Sequence, residues 1–477
     1  MRGGIPEAQT RTPKLPRLTT IDTAAALSVV VFWGGLFAAP RLLGLLQAQG
    51  DTDSAAGKLQ IQDILFPFFL AYIYVNRRTV RTILGPTLIR ISIIWGVFCL
   101  VQAGLSSPLR HYPPLAAAAF AGKELQYLVS MAFFAAFAAR RLRFTVVSCA
   151  VVLLPVFGFA TYQVIIGNLT GYYGVGLPFE AGVAAPSEVG AVASIMFVCG
   201  LSCVLNIGIL FGRAKRIRLI GALASLALCA LAAVVLLGSI SRSNIIGAVV
   251  ASFVVILVRV CRGELSFSYF LPVAIAISLA GIMDQNPVLS RLTGRFAVIT
   301  SNSLPTRAEN WRALMEYQLR DHADDFVGTL FGFGLGSPNF LLGNQSKGFT
   351  LGVDSQYVRR LFEVGLVGSL LWFLLLAAAA YRVLRQGDRS PYGKLTRDVC
   401  IGLFVLLSVV CIGLEALQVV RIATLSYAII GSLLGARAVG QARGWRRVIV
   451  SESLPRTEQT LRVEPLFRGH NQRRVPR

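Results

Sequence analysis

Long apolar runs separated by short polar connections set the pattern of this chain. The runs fall near residues 21–39, 60–76, 84–104, 115–138, 145–166, 187–212, 219–238, 244–260, 267–283, 357–380, 399–417 and 421–440. Each is near the length of a membrane span. The pattern predicts an all-α polytopic membrane protein of about 12 transmembrane helices. Its parts are a polar, basic tail over 1–20, a membrane domain over 21–283, a large loop over 284–356, a second membrane domain over 357–440 and a basic tail over 441–477. The first membrane domain is expected to hold about nine helices and the second about three. No cleavable signal peptide is expected ahead of the first run.

The loop at 284–356 is long for a connection, so it is expected to carry function or a small fold of its own. One helix is predicted in it, from Arg307 to Leu319. Thr306 and Glu309 form a T-x-x-E capping box, and Trp311, Leu314, Met315 and Leu319 make an apolar stripe at helical spacing. The C-terminal tail lacks apolar periodicity and is expected to be disordered.

Composition narrows the function classes. With 55% hydrophobic and 14% charged residues, the chain is too apolar for a set of soluble domains. The formal charge of +23 invites a nucleic-acid reading, but its distribution argues otherwise. Arginines cluster in every second connection: Arg77, Arg78 and Arg81; Arg140, Arg141 and Arg143; Arg213, Arg216 and Arg218; Arg259 and Arg262; Arg382, Arg385, Arg389 and Arg397. That alternation follows the positive-inside rule with both termini cytoplasmic, and it places the large loop outside. No groove-reading element accompanies the charge, so no nucleic-acid partner is expected. Seven of the eight cysteines lie inside apolar runs, without a C-x-x-C pair, and read as small buried hydrophobes. The three histidines, His111, His322 and His470, are too few for a histidine metal site, and no metal or cofactor is expected. Asp51-Thr52-Asp53 has a D-x-D form on the outward side, where nucleotide sugars are not expected, and the glycines from Gly332 to Gly336 lack dinucleotide-binding spacing.

Several polar residues sit where lipid disfavours them. Arg242, in GSISRSN on the outward side, calls either for an anionic partner such as a lipid diphosphate or for snorkelling to headgroups. Arg307, in the first turn of the loop helix, opposes the helix dipole and lies on the face of Trp311 and Leu314. Arg295 and Arg291, upstream, are weaker candidates that a solvated face explains equally well. Asp354, just before a span, reads either as a base for a sugar hydroxyl or as a helix N-cap. Glu363, two turns into that span, is expected to face a polar interior. Arg90, Lys123 and Glu124 interrupt apolar runs, with pairing or substrate contact as the two readings.

Two runs carry a resemblance. Arg307, Trp311, Gly334 and Gly336 precede a second run of Tyr357, Leu361, Glu363, Gly365 and Gly368. Together with Ser241-Arg242, they resemble the motifs of the O-antigen polymerase and O-antigen ligase superfamily of bacterial membrane glycosyltransferases. The family's His-Asn pair is Asp354-Ser355 here, which resembles the polymerases of O-antigen, capsule and exopolysaccharide pathways more than the ligases. The resemblance implies a metal-independent polymerase of the bacterial inner membrane. It would transfer a glycan from a polyprenyl-diphosphate carrier to a lipid-linked repeat unit at the periplasmic face. Arg242, Arg307, Arg295 and Tyr357 would bind the diphosphate substrate, and Asp354, Glu363 or Glu309 would serve the acceptor hydroxyl. Membrane lipids, a chain-length regulator and a flippase are the implied partners. A ligase or a glycan-lipid transporter are the alternatives; a transporter predicts midplane charges and repeat symmetry, and no symmetry is evident.

Overall fold

The structure is a computed structural model that describes residues 20–37, 61–110, 114–165, 186–207, 215–239, 241–265, 309, 311–312, 314–316, 325–337, 355–385, 392–414, 417 and 420–452. Among these, the side chains of 61–62, 106–110, 114–116, 163–165, 186–187, 215, 217, 242, 420 and 439–452 lie outside the described set. The regular elements are helices: α1 Thr20–Phe37, α2 Ile61–Val75, α3 Arg77–Arg110, α4 Pro114–Ile165, α5 Pro186–Leu205, α6 Lys215–Gly238, α7 Arg242–Cys261, α8 Phe326–Phe331, α9 Gln356–Leu384, α10 Gly393–Gly413 and α11 Val420–Glu452. Eight helical stretches among the described residues are long and apolar enough to cross a membrane. The protein is a multi-pass α-helical membrane protein. The apolar run at 267–283 and most of the loop at 284–356 lie outside the described residues.

The two helices that the sequence predicts at 115–138 and 145–166 are the two legs of α4, which part at Arg141, where φ of −135° and ψ of 41° leave the helical region. At about 1.5 Å per residue each leg is long enough to cross one bilayer.

α3 breaks at Gly85, with φ of 70°, and Pro86 opens the second leg. In a continuous helix the Thr82 carbonyl would accept from residue 86, which as proline has no N–H. The α9 residue Arg382 supplies the missing donors, from Nη2 to the Thr82 carbonyl at 2.9 Å and from Nε to the Ile83 carbonyl at 2.6 Å. A Cβ at position 85 would lie 2.5 Å from the Arg382 guanidinium carbon, so the glycine makes room for its own cap.

The core is built by close helix approach. α11 lies against α4 through Gly431 and Gly435, where an added Cβ would stand 2.2 Å from the Met131 carbonyl oxygen and 2.3 Å from that of Ala135. This is small-residue packing, in which van der Waals contact replaces the hydrophobic drive that lipid does not supply. Aromatic rings knit α1, α2 and α4: Phe69 stacks on Phe133 at 3.9 Å, and Phe32 meets Phe134 at 4.9 Å. Leu27, Ile93, Val151, Ile220 and Leu366 are exposed on the perimeter, as lipid-facing side chains are.

At the Arg-rich end of the bundle a buried carboxylate ties three helices. Asp398 of α10 accepts from Arg259 of α7 at 2.7 Å and from Asn206, just past α5, at 2.9 Å. Next to it, Arg397 pairs with Glu264 at 2.8 Å and Lys394 approaches Glu264 at 3.4 Å. Removing one partner of a buried pair strands the other charge, at about 3–5 kcal/mol. Asp398→Ala is expected to lower the unfolding temperature of the purified protein in detergent by that scale of destabilisation; an unchanged melt would show that water already serves Arg259.

Burial raises the Glu264 pKa, but hydrogen bonds and charge from Arg397 and Lys394 outweigh it and hold the carboxyl below its ordinary 4.5. A lowered folded-state pKa gives stability that is present above the unfolded value and lost as pH falls through the folded one. Glu264→Gln is therefore expected to lower the melting temperature at pH 7 and to flatten its decline below pH 4.5, as read from melts across pH.

Candidate functional site

The glycine turn that follows α8 and the first turns of α9 meet in space. α8 begins at Asp325, whose Oδ1 accepts from the Gly328 amide at 2.7 Å. It ends at Gly332, and Gly332, Gly334 and Gly336 all have positive φ, 82°, 113° and 81°. The turn so formed lies against α9 where that helix breaks at Gly365, with φ of 64°.

The break frees the carbonyls of Phe362 and Glu363, which in lipid or a protein interior need donors. The turn provides them: the Phe333 amide donates to the Phe362 carbonyl and the Gly334 amide to the Glu363 carbonyl, each at 2.9 Å. Gln102 of α3 adds its side-chain amide, which donates to the carbonyls of Phe331, at 2.7 Å, and Glu363. The backbones approach too closely for any side chain. A Cβ at Gly332 would stand 2.3 Å from the Glu363 carbonyl oxygen, and one at Gly365 would stand 2.4 Å from that of Leu330. Phe333 stacks on Phe362 at 4.7 Å, and Leu314 of the loop is buried beside them.

The Glu363 side chain completes the lock. Its Oε1 accepts from the Gly336 amide at 2.9 Å and from Arg359 Nε at 2.8 Å, while its Oε2 lies 4.0 Å from Arg360 Nη1. Arg360 is in turn paired with Glu124 of α4 and lies between Trp95 and Trp372, with ring centroids at 5.8 and 5.6 Å. Arg359, Arg360, Glu363 and Glu124 are all buried. Two cations and two anions thus compensate one another in a region where an unpaired charge would be prohibitive. Beside Glu124 on α4, Lys123 pairs with Asp63 of α2 at 2.5 Å, and Gln126 donates to the same carboxylate at 2.9 Å. Arg360 Nε and Glu124 Oε2 have no hydrogen-bond partner among the described residues, so this cluster keeps unused polar capacity.

Of the residues singled out in the sequence, Glu363 lies at the centre of this cluster. Tyr357, two residues before Arg359, points elsewhere: its hydroxyl donates to the Ser408 carbonyl of α10 at 2.9 Å and its ring stacks on Phe373. Glu309 is exposed on its helical turn. Arg242 is the first residue of α7, with its side chain outside the described set. Its turn is built tightly: Asn244 donates to Ser241 Oγ at 2.7 Å, and a Cβ on Gly190 of α5 would stand 2.5 Å from Ser239 Oγ. Asp354, Arg307 and Arg295 lie outside the described residues. Lys123 and Glu124 take the pairing reading, whereas Arg90 is exposed.

Arg359, Arg360 and Gln102 were not singled out by sequence. The arginines carried a signal, since they precede Glu363 by four and three residues on one helix face. Gln102 carried none. No protein-family model matches the chain, and no curated protein matches it.

The lock predicts how it opens. Alanine at a positive φ costs about 1–2 kcal/mol before any clash is counted. Ser337 is buried at 1% exposure. A Ser337→Cys reporter is expected to react with a membrane-impermeant maleimide at least about tenfold faster when Gly365→Ala is added. Equal labelling rates would mean that the turn is held by contacts other than the glycine pair.

Proposed function

We propose that the protein is a membrane glycosyltransferase that polymerises polyprenyl-diphosphate-linked repeat units on the outer face of the membrane. The observation that carries the reading is the contact between the glycine turn at 332–337 and the α9 break at Gly365. The two runs of the superfamily resemblance lie on separate parts of the chain, and their joining supports their working as one unit. In this reading the chain has twelve spans, one of them at 267–283, with both termini cytoplasmic and the loop at 284–356 periplasmic.

The chemistry required is glycosyl transfer. The bond from the donor's anomeric carbon to its diphosphate breaks, and a bond from that carbon to the acceptor oxygen forms. The acceptor proton passes to a base, and the diphosphate leaves with the bonding pair. Arg242 and Arg307 are assigned to the charge building on the diphosphate, with Arg295 at the margin of that site, because guanidinium binds phosphate bidentately and stays charged. Asp354 is assigned to the acceptor hydroxyl, with Glu309 in reserve. Glu363 is better suited to holding the turn than to taking a proton, since one of its oxygens already accepts two hydrogen bonds. Tyr357 is assigned to packing α9 on α10.

Purified protein in lipid, given its host's polyprenyl-diphosphate repeat unit, is expected to yield a ladder of multiples on a gel. Arg242→Ala or Arg307→Ala is expected to abolish it at unchanged expression. Transfer of sugar to a different lipid or protein acceptor would instead make the protein a ligase. Substrate moved across the bilayer without new bonds would make it a transporter.

A further inference from the structure

At the end of the molecule where Arg382 caps the α3 break, the described residues gather positive charge. Arg385 follows Arg382 by three residues, and Arg437 of α11 donates to the Arg382 carbonyl. Both α9 arginines lie within electrostatic reach of Arg437. On the other side of the contact, the first turns of α3 present exposed Arg78 and Arg81 beside Thr82, whose carbonyl Arg382 holds. The acidic residues described at this end are engaged elsewhere. Asp22 pairs with Arg140 at 3.3 Å, and Glu264 and Asp398 belong to the network with Arg397 and Arg259. None of Arg78, Arg81, Arg382 and Arg385 is in an ion pair among the described residues.

Four arginines on two adjoining elements repel one another unless an anion joins them. The surroundings say which kind. Tyr381 is 60% exposed with the Arg385 guanidinium 5.6 Å from its ring, and Tyr74 is 69% exposed with that of Arg77 at 5.1 Å. Leu384 and Val75 are exposed beside them. Tyrosine with arginine over apolar side chains is the composition of a membrane–water boundary, where the aromatic body faces acyl chain and the cation faces headgroup. Free phosphate has no use for that apolar frame; a lipid phosphate comes with acyl chains that cover it.

We propose that Arg78, Arg81, Arg382 and Arg385 form a binding site for the phosphate headgroup of an anionic phospholipid. The site is independent of the glycan chemistry proposed above and lies at the opposite end of the bundle from the glycine turn. Arg382 is its fixed element, held by two carbonyls, and the other three are the adaptable ones.

Fluorescent phosphatidylglycerol titrated into the full-length protein in neutral detergent tests it, with phosphatidylcholine of the same chains as comparison. Each basic residue near an anionic headgroup contributes about 1 kcal/mol, so Arg81→Gln with Arg385→Gln is expected to weaken phosphatidylglycerol binding by about tenfold to thirtyfold. Phosphatidylcholine binding is expected not to change. Neither side chain makes a hydrogen bond among the described residues, so the double variant is expected to keep the wild-type melting temperature. Should it not fold, Arg385→Gln alone decides, with a loss of about fivefold. Arg216→Gln with Arg218→Gln removes equal charge from another connection and is expected to leave binding intact. Equal affinity for the two lipids, or equal loss in the two double variants, would overturn the proposal. So would full displacement of the lipid by millimolar inorganic phosphate, which would make this a site for free phosphate.

Discussion

The structure depends on one constraint: a backbone group freed inside a membrane protein must find a partner within the protein. α9 breaks at Gly365 and α3 at Gly85, each in a left-handed conformation suited to glycine. Each break strands carbonyls, and each is repaired by a group from a distant part of the chain. At Gly85 the repair is Arg382; at Gly365 it is Gln102 together with the amides of the glycine turn. The bundle's connectivity therefore rests on these repairs as much as on helix packing. Because Gln102 belongs to α3 and Arg382 to α9, the two helices cap one another's neighbourhood at opposite ends.

Charge follows the same logic. The interior holds Glu363, Glu124, Arg359 and Arg360 at one end and Asp398, Arg259 and Arg397 at the other, all buried. A buried pair is weak evidence for stability, since desolvation consumes most of its attraction. Its stronger effect is to penalise wrong arrangements, because a helix out of place would strand a charge. Glu363 illustrates this: its carboxylate contacts the helix's own arginines and the loop turn at once, so loop and helix must arrive in register. That holds the turn rigidly against α9.

Much of the fold was legible along the chain. Hydropathy is a local, additive property, so the apolar runs marked where α1, α5, α6, α7 and α10 would lie. It also marked the two legs of α4, which part at Arg141 in the basic connection between the two runs. The Gly431–Gly435 spacing on α11 was also present to be read, as was the i, i+4 relation of Arg359 and Glu363. Glu363 was marked as facing a polar interior because a carboxylate two turns into a span has nowhere else to go.

The sequence by itself determined that this is a helical membrane protein, where its polar insert falls, and which side chains are out of place in lipid. Only the tertiary structure decided who answers them. Arg360 meets Glu124, Lys123 meets Asp63, and Gln102 meets the carbonyls of Phe331 and Glu363 across about half of the chain's length. Span length and polarity are written in neighbouring residues. Pairing depends on which helices adjoin and at what height, and that is set by glycine contacts and ring packing spread over the whole bundle.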